Sequence, residues 1–312
     1  MRSFTWGRKG VYGKKDIMDR PFFSDRERFA ELVNAVLYGG RQILLPVNLV
    51  LHRRKYPSLS SAGGESERDV LMEDAVQNIC YGIEIETESD YSMPERVINY
   101  DVCDYGFQMR ELDRGHRAKK DYSSYRERKS RMKKSDFLCP VVTIVLYLGE
   151  GHWEGGQKLS QMFHLSSGLR ELLGTNLHDY DFPLIEADFV DPALFDTDLR
   201  AFFQAMQCRR DRDKLKDLLQ TQAFRCLSSE AERVIARHLH IKSLICRMEK
   251  EELPMCKAFD DLMKEERSEG KREGKREEKL RIIRQMAQAG FEETMIRRIT
   301  KCTREELAAV GR

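Results

Sequence analysis

The stretch RDVLMEDAVQNICYGIEIETESDY, Arg68 to Tyr91, decides how the rest of the chain is read. Asp69 opens one apolar run, and Glu84 and Glu86 close the next. From Ile83 onward apolar and acidic residues alternate, so Glu84 and Glu86 project from the same face of a strand. At about 4 Å in an effective dielectric of about 20, two carboxylates repel by roughly 4 kcal/mol. A fold that gathers Asp69, Glu84 and Glu86 therefore calls for a cation. Ligands that are all oxygen suit magnesium or manganese, hard ions that also bind phosphate. The same alternation equally fits the wet face of an amphipathic strand, and these residues alone leave both readings open.

Working outward, residues 1–22 read as a flexible lead. Ser24-Asp25-Arg26-Glu27 offers an N-cap with an acidic residue three positions on. Phe29, Leu32, Val33, Val36 and Leu37 then recur at helical spacing until Gly39-Gly40. Ile43 to Leu51 is apolar and branched enough for a strand, and a polar loop follows through Ser60-Ser61-Ala62-Gly63-Gly64. Strands beginning near Arg68 and Asn78 complete a meander. Pro94 sits in the first turn of a helix reaching about Leu112, and Val141 to Leu148 is the continuous apolar run of a strand buried on both faces. Phe182 to Phe189 adds an edge strand, and residues 192–262 carry the apolar stripes of several helices. The EGKR repeat between Glu269 and Glu277 sets a glycine on nearly every turn, at about 1 kcal/mol each relative to alanine, so it reads as a marginal helix or a solvated linker. Beyond it, Leu280 to Ala289, the stop at Gly290, Glu292 to Ile299 and the capping-box pattern Thr303-x-x-Glu306 suggest two or three short helices. They form either a helix-turn-helix remnant or a packing tail through which a homodimer assembles. The order predicts an α/β fold with a small mixed sheet flanked by helices. It divides into a lead (1–22), a core (23–190), a helical extension (191–262), a charged glycine-punctuated linker helix (263–281) and a small helical tail (282–312).

GIEIETESDYSMPERVINYD, Gly82 to Asp101, resembles the segment GIENQTEIDYSMPxRVxxYD of the PD-(D/E)XK nuclease-family transposases, the recombination-promoting nucleases. Other pieces fall in that family's order. RFAELVNAVLYGG, Arg28 to Gly40, resembles its opening helix RFADLxNxxLFxG; Arg68-Asp69-Val70 resembles its RDV or RDI strand; CPVVTIVLYLG, Cys139 to Gly149, resembles its TPVVTLVLYWG. EGKREGKRE from Glu269 is similar to its charged tail. The resemblance spans nearly the whole chain. It implies a restriction-endonuclease-like core and a magnesium- or manganese-dependent DNA endonuclease associated with mobile elements and recombination. Two positions depart from it: Ile85 stands where the family usually has Asn, and Glu86 where it has Gln and the wider superfamily Lys.

Hydrolysing a phosphodiester requires stabilising an extra negative charge and making water nucleophilic, and a carboxylate-bound divalent cation does both. The resemblance makes Asp69 and Glu84 the expected metal ligands. The superfamily Lys orients or deprotonates water, and Gln only orients it. Glu86 has three readings: a proton acceptor, a ligand of a second metal, or the mark of an enzyme that no longer cleaves. Glu31, on the opening helix, is either the further acidic catalytic residue many superfamily members place there or a solvent-facing charge. Arg96 binds phosphate or pairs with a carboxylate. Arg114 to Lys134 is strongly basic with Tyr122 and Tyr125 interleaved. Lys119, Lys120, Arg126, Arg128 and Lys129 would there contact the DNA backbone, unless the segment is a charged connector. The rival to the enzyme is a noncatalytic DNA-binding or assembly protein that keeps the fold.

A chain of 312 residues buries a full core. With 34% charged residues but a formal net charge of only +2, attraction to nucleic acid must come from local patches. Eight cysteines lie scattered without a CxxC pair, which suits reduced thiols in a cytoplasmic protein. MRSFTWGRKGVYGKKD is too polar for a signal peptide, and no stretch approaches about 18 uninterrupted apolar residues, so no membrane partner is expected. The seven histidines show no HxxxH spacing, and no P-loop, GxSxG or dinucleotide fingerprint is present. Zinc-hydrolase, ATP-driven, esterase and redox chemistries therefore lack support.

Overall fold

Seven strands occur among the residues described by the computed structural model, which are 16–57, 65–239, 242–251, 253–303 and 306–307. They are β1 (Leu49–His52), β2 (Lys55–Pro57), β3 (Glu65–Glu67), β4 (Val70–Asp74), β5 (Ile79–Glu86), β6 (Val141–Tyr147) and β7 (Leu184–Glu186). Five of them form one mixed sheet in the order β1-β4-β5-β6-β7, and β2 pairs with β3 in a separate antiparallel ribbon. β1, β4 and β5 are the antiparallel meander, while β6 runs parallel to β5 and β7 parallel to β6. Parallel neighbours need a crossover. Here it contains the long helix described below as α3.

The helices of the first compact unit, residues 1–240, are α1 (Asp16–Phe23), α2 (Arg26–Tyr38), α3 (Met93–Lys119), α4 (Tyr125–Ser130), α5 (Ser167–Leu173), α6 (Asp198–Cys208), α7 (Arg212–Leu219), α8 (Gln222–Arg225) and α9 (Ser229–His238). Alternation along β5 sends Cys80, Gly82, Glu84 and Glu86 to one face and Tyr81, Ile83 and Ile85 to the other. α3 covers the first face: Met93 and Val97 pack on Val145, Tyr147, Trp153 and Phe182, and Tyr105 packs on Leu71, Cys80, Cys139 and Val141. On the second face the Tyr81 hydroxyl meets that of Tyr38, in α2, at 2.6 Å. β6 is apolar but for Thr143 and the Tyr147 hydroxyl, because both of its faces are covered.

Several expectations hold and several need correction. Gly39 ends α2 in the left-handed conformation, and Pro94 lies in the first turn of α3. The cap of α2 is Asp25 rather than Ser24: its carboxylate accepts from the backbone N–H of Glu27 and Arg28, each at 3.1 Å. The strand expected from Ile43 begins only at Leu49, since Pro46 starts a short 3-10 turn that interrupts the apolar run. Of the expected flexible lead, residues 1–15 lie outside the described residues, but Asp16–Phe23 is a helix with Phe22 and Phe23 fully buried. Their rings pack on Phe202 of α6 at 5.6 and 5.5 Å between centroids. Burial of side chains this large stabilises by about 1.5–3 kcal/mol each, enough to order a segment whose sequence reads as polar. The polar loop expected at Ser60–Gly64 also lies outside the described residues.

The division expected at residue 190 is not where the compact units part. Buried Arg28 of α2 donates to the Phe22 carbonyl at 3.1 Å, and pairs with Glu230 of α9 at 2.8 Å and Asp198 of α6 at 3.4 Å. It thereby ties the extension helices to the opening ones. The second unit, residues 241–312, holds α10 (Lys242–Glu251), α11 (Met255–Gln288) and α12 (Glu293–Thr300). The EGKR repeat is part of α11, which runs from the expected extension through the expected linker into the expected tail, with no break at 262 or 281. Around its glycines stand Glu, Lys and Arg, all strong helix formers. Past Gly290, Ile296 packs with Ile283 and Cys302, and the predicted capping box forms reciprocally. In it Thr303 N–H donates to Glu306 at 2.9 Å and Glu306 N–H donates to the Thr303 hydroxyl at 3.1 Å.

Candidate functional site

Antiparallel pairing of Val70 with Ile83 carries Asp69 to the flank of Glu84. Asp69 Oδ2 accepts the Ile85 N–H at 2.8 Å, and Oδ1 accepts Arg20 Nε at 2.9 Å. Glu84 is 2% exposed. Burial, and next the charge of Asp69, raise its pKa from the ordinary 4.5 to about 8 against the opposing pull of Arg68, Arg96 and Arg20. Its Oε1 is buried and makes no hydrogen bond, while Oε2 lies 3.6 Å from Arg96. An unsatisfied buried carboxylate oxygen costs free energy, so its presence beside a second carboxylate wants explaining. The pair sits at the carboxyl end of β5, the end of a parallel α/β arrangement at which ligands commonly bind.

Arg96, in the first turn of α3, pairs closely with Glu86 and at 2.9 Å with Asp90, besides its contact with Glu84. Asp90 in turn accepts from the Ser92 N–H at 2.8 Å and the Ser92 hydroxyl at 2.7 Å, fixing the loop from which α3 departs. Of the two readings of Arg96, carboxylate pairing is the one seen. Glu86 lies on the same face as Glu84, as the alternation predicts, but an arginine holds it.

Behind this cluster is a buried polar network that sequence reading did not anticipate. Arg68 donates to Thr143 Oγ1 at 2.7 Å, pairs closely with Asp101 and lies 3.2 Å from Asp104; Arg54 and the Tyr56 hydroxyl each reach Asp104 at 2.8 Å. Tyr180 closes the set on Asp101. Burial alone would lower the Arg68 pKa, but Glu84, Asp101 and Asp104 raise it on balance. Gly82 makes room for this guanidinium, which occupies the space a Cβ there would take. The available signal was two aspartates three apart on one face of α3, beside the buried Val97 and Tyr100.

Glu31 is engaged elsewhere. Its carboxylate accepts the Thr197 N–H at 3.2 Å and binds the Thr197 hydroxyl and the Asp196 N–H closely, tying α2 to the start of α6. The basic segment carries ion pairs and hydrogen bonds of its own. His116 stands between Asp121 at 2.8 Å and Asp136 at 2.9 Å, and Lys133 pairs with Asp121 at 2.8 Å. The Tyr122 hydroxyl donates to Asp113 at 2.9 Å, and Ser124 caps α4. Hydrogen bonds, led by those of Lys133, hold Asp121 and Asp136 below the usual carboxylate range. Lys119, Lys120, Arg126, Arg128 and Lys129 are exposed on this module, with Tyr125. Lys119 lies 23 residues along α3 from Arg96, or about 35 Å at the helical rise, so the structure gathers these cations at the opposite end of the helix from the carboxylates.

Among the described residues no group of three or more His, Cys, Asp or Glu side chains converges to hold a metal ion, and no helix is long and apolar enough to cross a membrane. All eight cysteines are free thiols. Compared with protein-family models, curated proteins and solved structures, the chain finds no match.

Proposed function

We propose that this chain is a divalent-metal-dependent DNA endonuclease built on a PD-(D/E)XK core, as the motif resemblance implies. The observation that carries the reading is the buried Glu84 Oε1, without a hydrogen-bond partner and beside Asp69. These residues fit a small hard cation: Asp69 and Glu84 would hold it through one or two oxygens, the manner in which magnesium is bound while keeping waters and substrate phosphate in its shell. Bound there, magnesium or manganese would lower the pKa of a water and stabilise charge on the scissile phosphate. Asp69 is oriented for this by the Ile85 N–H and Arg20, and Glu84 by the packing around it. Glu86, held by Arg96, fixes the first turn of α3 against the strand end. The basic module supplies phosphate contacts away from the reacting bond.

The test is plasmid cleavage by the full chain with magnesium, manganese or EDTA, beside Asp69→Asn and Glu84→Gln. Metal-dependent nicking that falls to background in both variants, with circular dichroism unchanged, is the expected result. One observation favours a second reading: Glu86 and Arg96 neutralise each other at the position where the superfamily keeps a free lysine. A protein that binds DNA but nicks it no better than its variants would be a noncatalytic DNA-binding protein. The tail is proposed as a homodimer surface, because Ile282, Phe291, Met295 and Ile299 of the second unit are exposed. Sedimentation of the full chain against residues 1–240 tests that, with the dimer expected only for the former.

A further inference from the structure

A cavity of about 550 Å³ opens between the second half of α3 and the starting end of β5, beside the β1–β2 connection. Its size is that of a small-molecule site. It is distinct from the carboxylate pair, since Cys80 in its wall precedes Glu84 by four residues, about 13 Å along the strand. The lining has an unbalanced demand for negative charge. Its two carboxylates already have partners: Glu73 pairs with His52 at 2.8 Å, and Glu111 with Arg114 at 2.9 Å. Its exposed cations Arg53 and Lys119 form no ion pair among the described residues. Arg54, whose side chain is 9% exposed and is anchored to Asp104, keeps a buried Nε–H with no hydrogen-bond acceptor. Flat apolar surface adjoins these donors. The Arg54 guanidinium lies 4.4 Å over the Phe107 ring, Leu112 is half-buried in the wall, and Phe137 is 83% exposed.

We propose that this cavity binds a flat organic anion of mononucleotide size, with its ring against Phe137 beside the arginine-covered Phe107 and its phosphate or carboxylate on Arg53, Lys119 and Arg54. The proposal shares Lys119 with the basic module but needs neither cleavage nor metal at Asp69 and Glu84. A ring offers the aromatic walls a stacking partner and cation–π contact, while the anionic group answers the unpaired cations and the orphan donor. The size admits one base with its sugar and phosphate but no folded polymer.

Isothermal titration of the full chain tests this, with EDTA throughout so that no metal at Asp69 and Glu84 can recruit the anion. The probes are adenosine monophosphate, adenosine, ribose phosphate and naphthoate. Saturable binding of adenosine monophosphate is expected, with adenosine and ribose phosphate each weaker by about tenfold or more. Naphthoate binding as tightly would assign the site to aromatic carboxylates instead of nucleotides and still support a flat anion. Lys119→Glu and Phe137→Ala alter exposed side chains and should each weaken binding by about tenfold, whereas Lys216→Glu, an equal charge reversal on α7, should leave it unchanged. The proposal is overturned if neither adenosine monophosphate nor naphthoate saturates at millimolar concentration. It is equally overturned if adenosine binds as well as its monophosphate, or if Lys119→Glu and Lys216→Glu behave alike.

Discussion

Glu84 is where burial, charge and chemistry conflict most directly. Between the ordinary glutamate value of 4.5 and about 8, the folded metal-free protein holds a proton that the unfolded chain has released. Stability should therefore fall as pH rises across that window and level off above it. Urea denaturation from pH 5 to 9 in EDTA checks this. Glu84→Gln should flatten the curve, and magnesium should oppose the loss most strongly at the alkaline end. A wild-type profile as flat as the variant's would remove the basis for treating Glu84 as a carboxylate awaiting a cation. Arg96 gives the complementary case. Arg96→Met leaves Glu84, Glu86 and Asp90 without their shared guanidinium, and should destabilise the metal-free protein by about 1–3 kcal/mol, since the cluster is only partly exposed. Magnesium should recover much of that in parallel melts. Period-two alternation made the shared face of Glu84 and Glu86 legible in the sequence. The partner of Glu86 was not, because an ion pair between a strand end and the next helix depends on the loop between them.

The elements divide by the kind of signal that specifies them. β5, β6 and the start of α3 follow from alternation, an unbroken apolar run and a first-turn proline, all local properties. α1 follows from contacts distant in the chain, those of Phe22 and Phe23 with Phe202, so no local pattern announces it. Gly82 belongs to this second kind, because its lack of a side chain matters only when Arg68 lies across it. Gly82→Ala should cost about 1–3 kcal/mol in chemical denaturation, because the buried guanidinium is bound to Thr143 and Asp101 and has little room to shift. In α11 the opposite sign is expected. A Cβ at Gly274 would meet nothing within 4 Å, and its backbone is helical. Gly274→Ala should raise stability by up to about 1 kcal/mol and increase ellipticity at the helix minimum. Unchanged ellipticity would mean that the repeat is the solvated linker its glycines suggest.

At the scale of the whole molecule, what matters is which segments complete the first unit. Spacing and composition place a boundary near residue 190, where the last strand ends and the helices begin. Packing places it at 240. Phe22 and Phe23 need Phe202, buried Arg28 needs Glu230 and Asp198, and the buried Asp19 carboxylate meets His238 at 2.9 Å. A chain cut at residue 190 loses Phe202, Phe203, Phe224, Val234 and Ile235, all fully buried. At about 1.5–3 kcal/mol for each such side chain, that loss alone matches or exceeds the whole stability of an ordinary domain, about 5–15 kcal/mol. It also removes the two carboxylate partners of Arg28 and the His238 partner of Asp19. Residues 1–190 should therefore be recovered aggregated or unfolded, while residues 1–240 should unfold cooperatively in urea and retain whatever metal response the full chain shows. A cooperative transition in the shorter fragment would mean that the sheet and α3 suffice for a core, and that the helices from α6 to α9 are an extension after all.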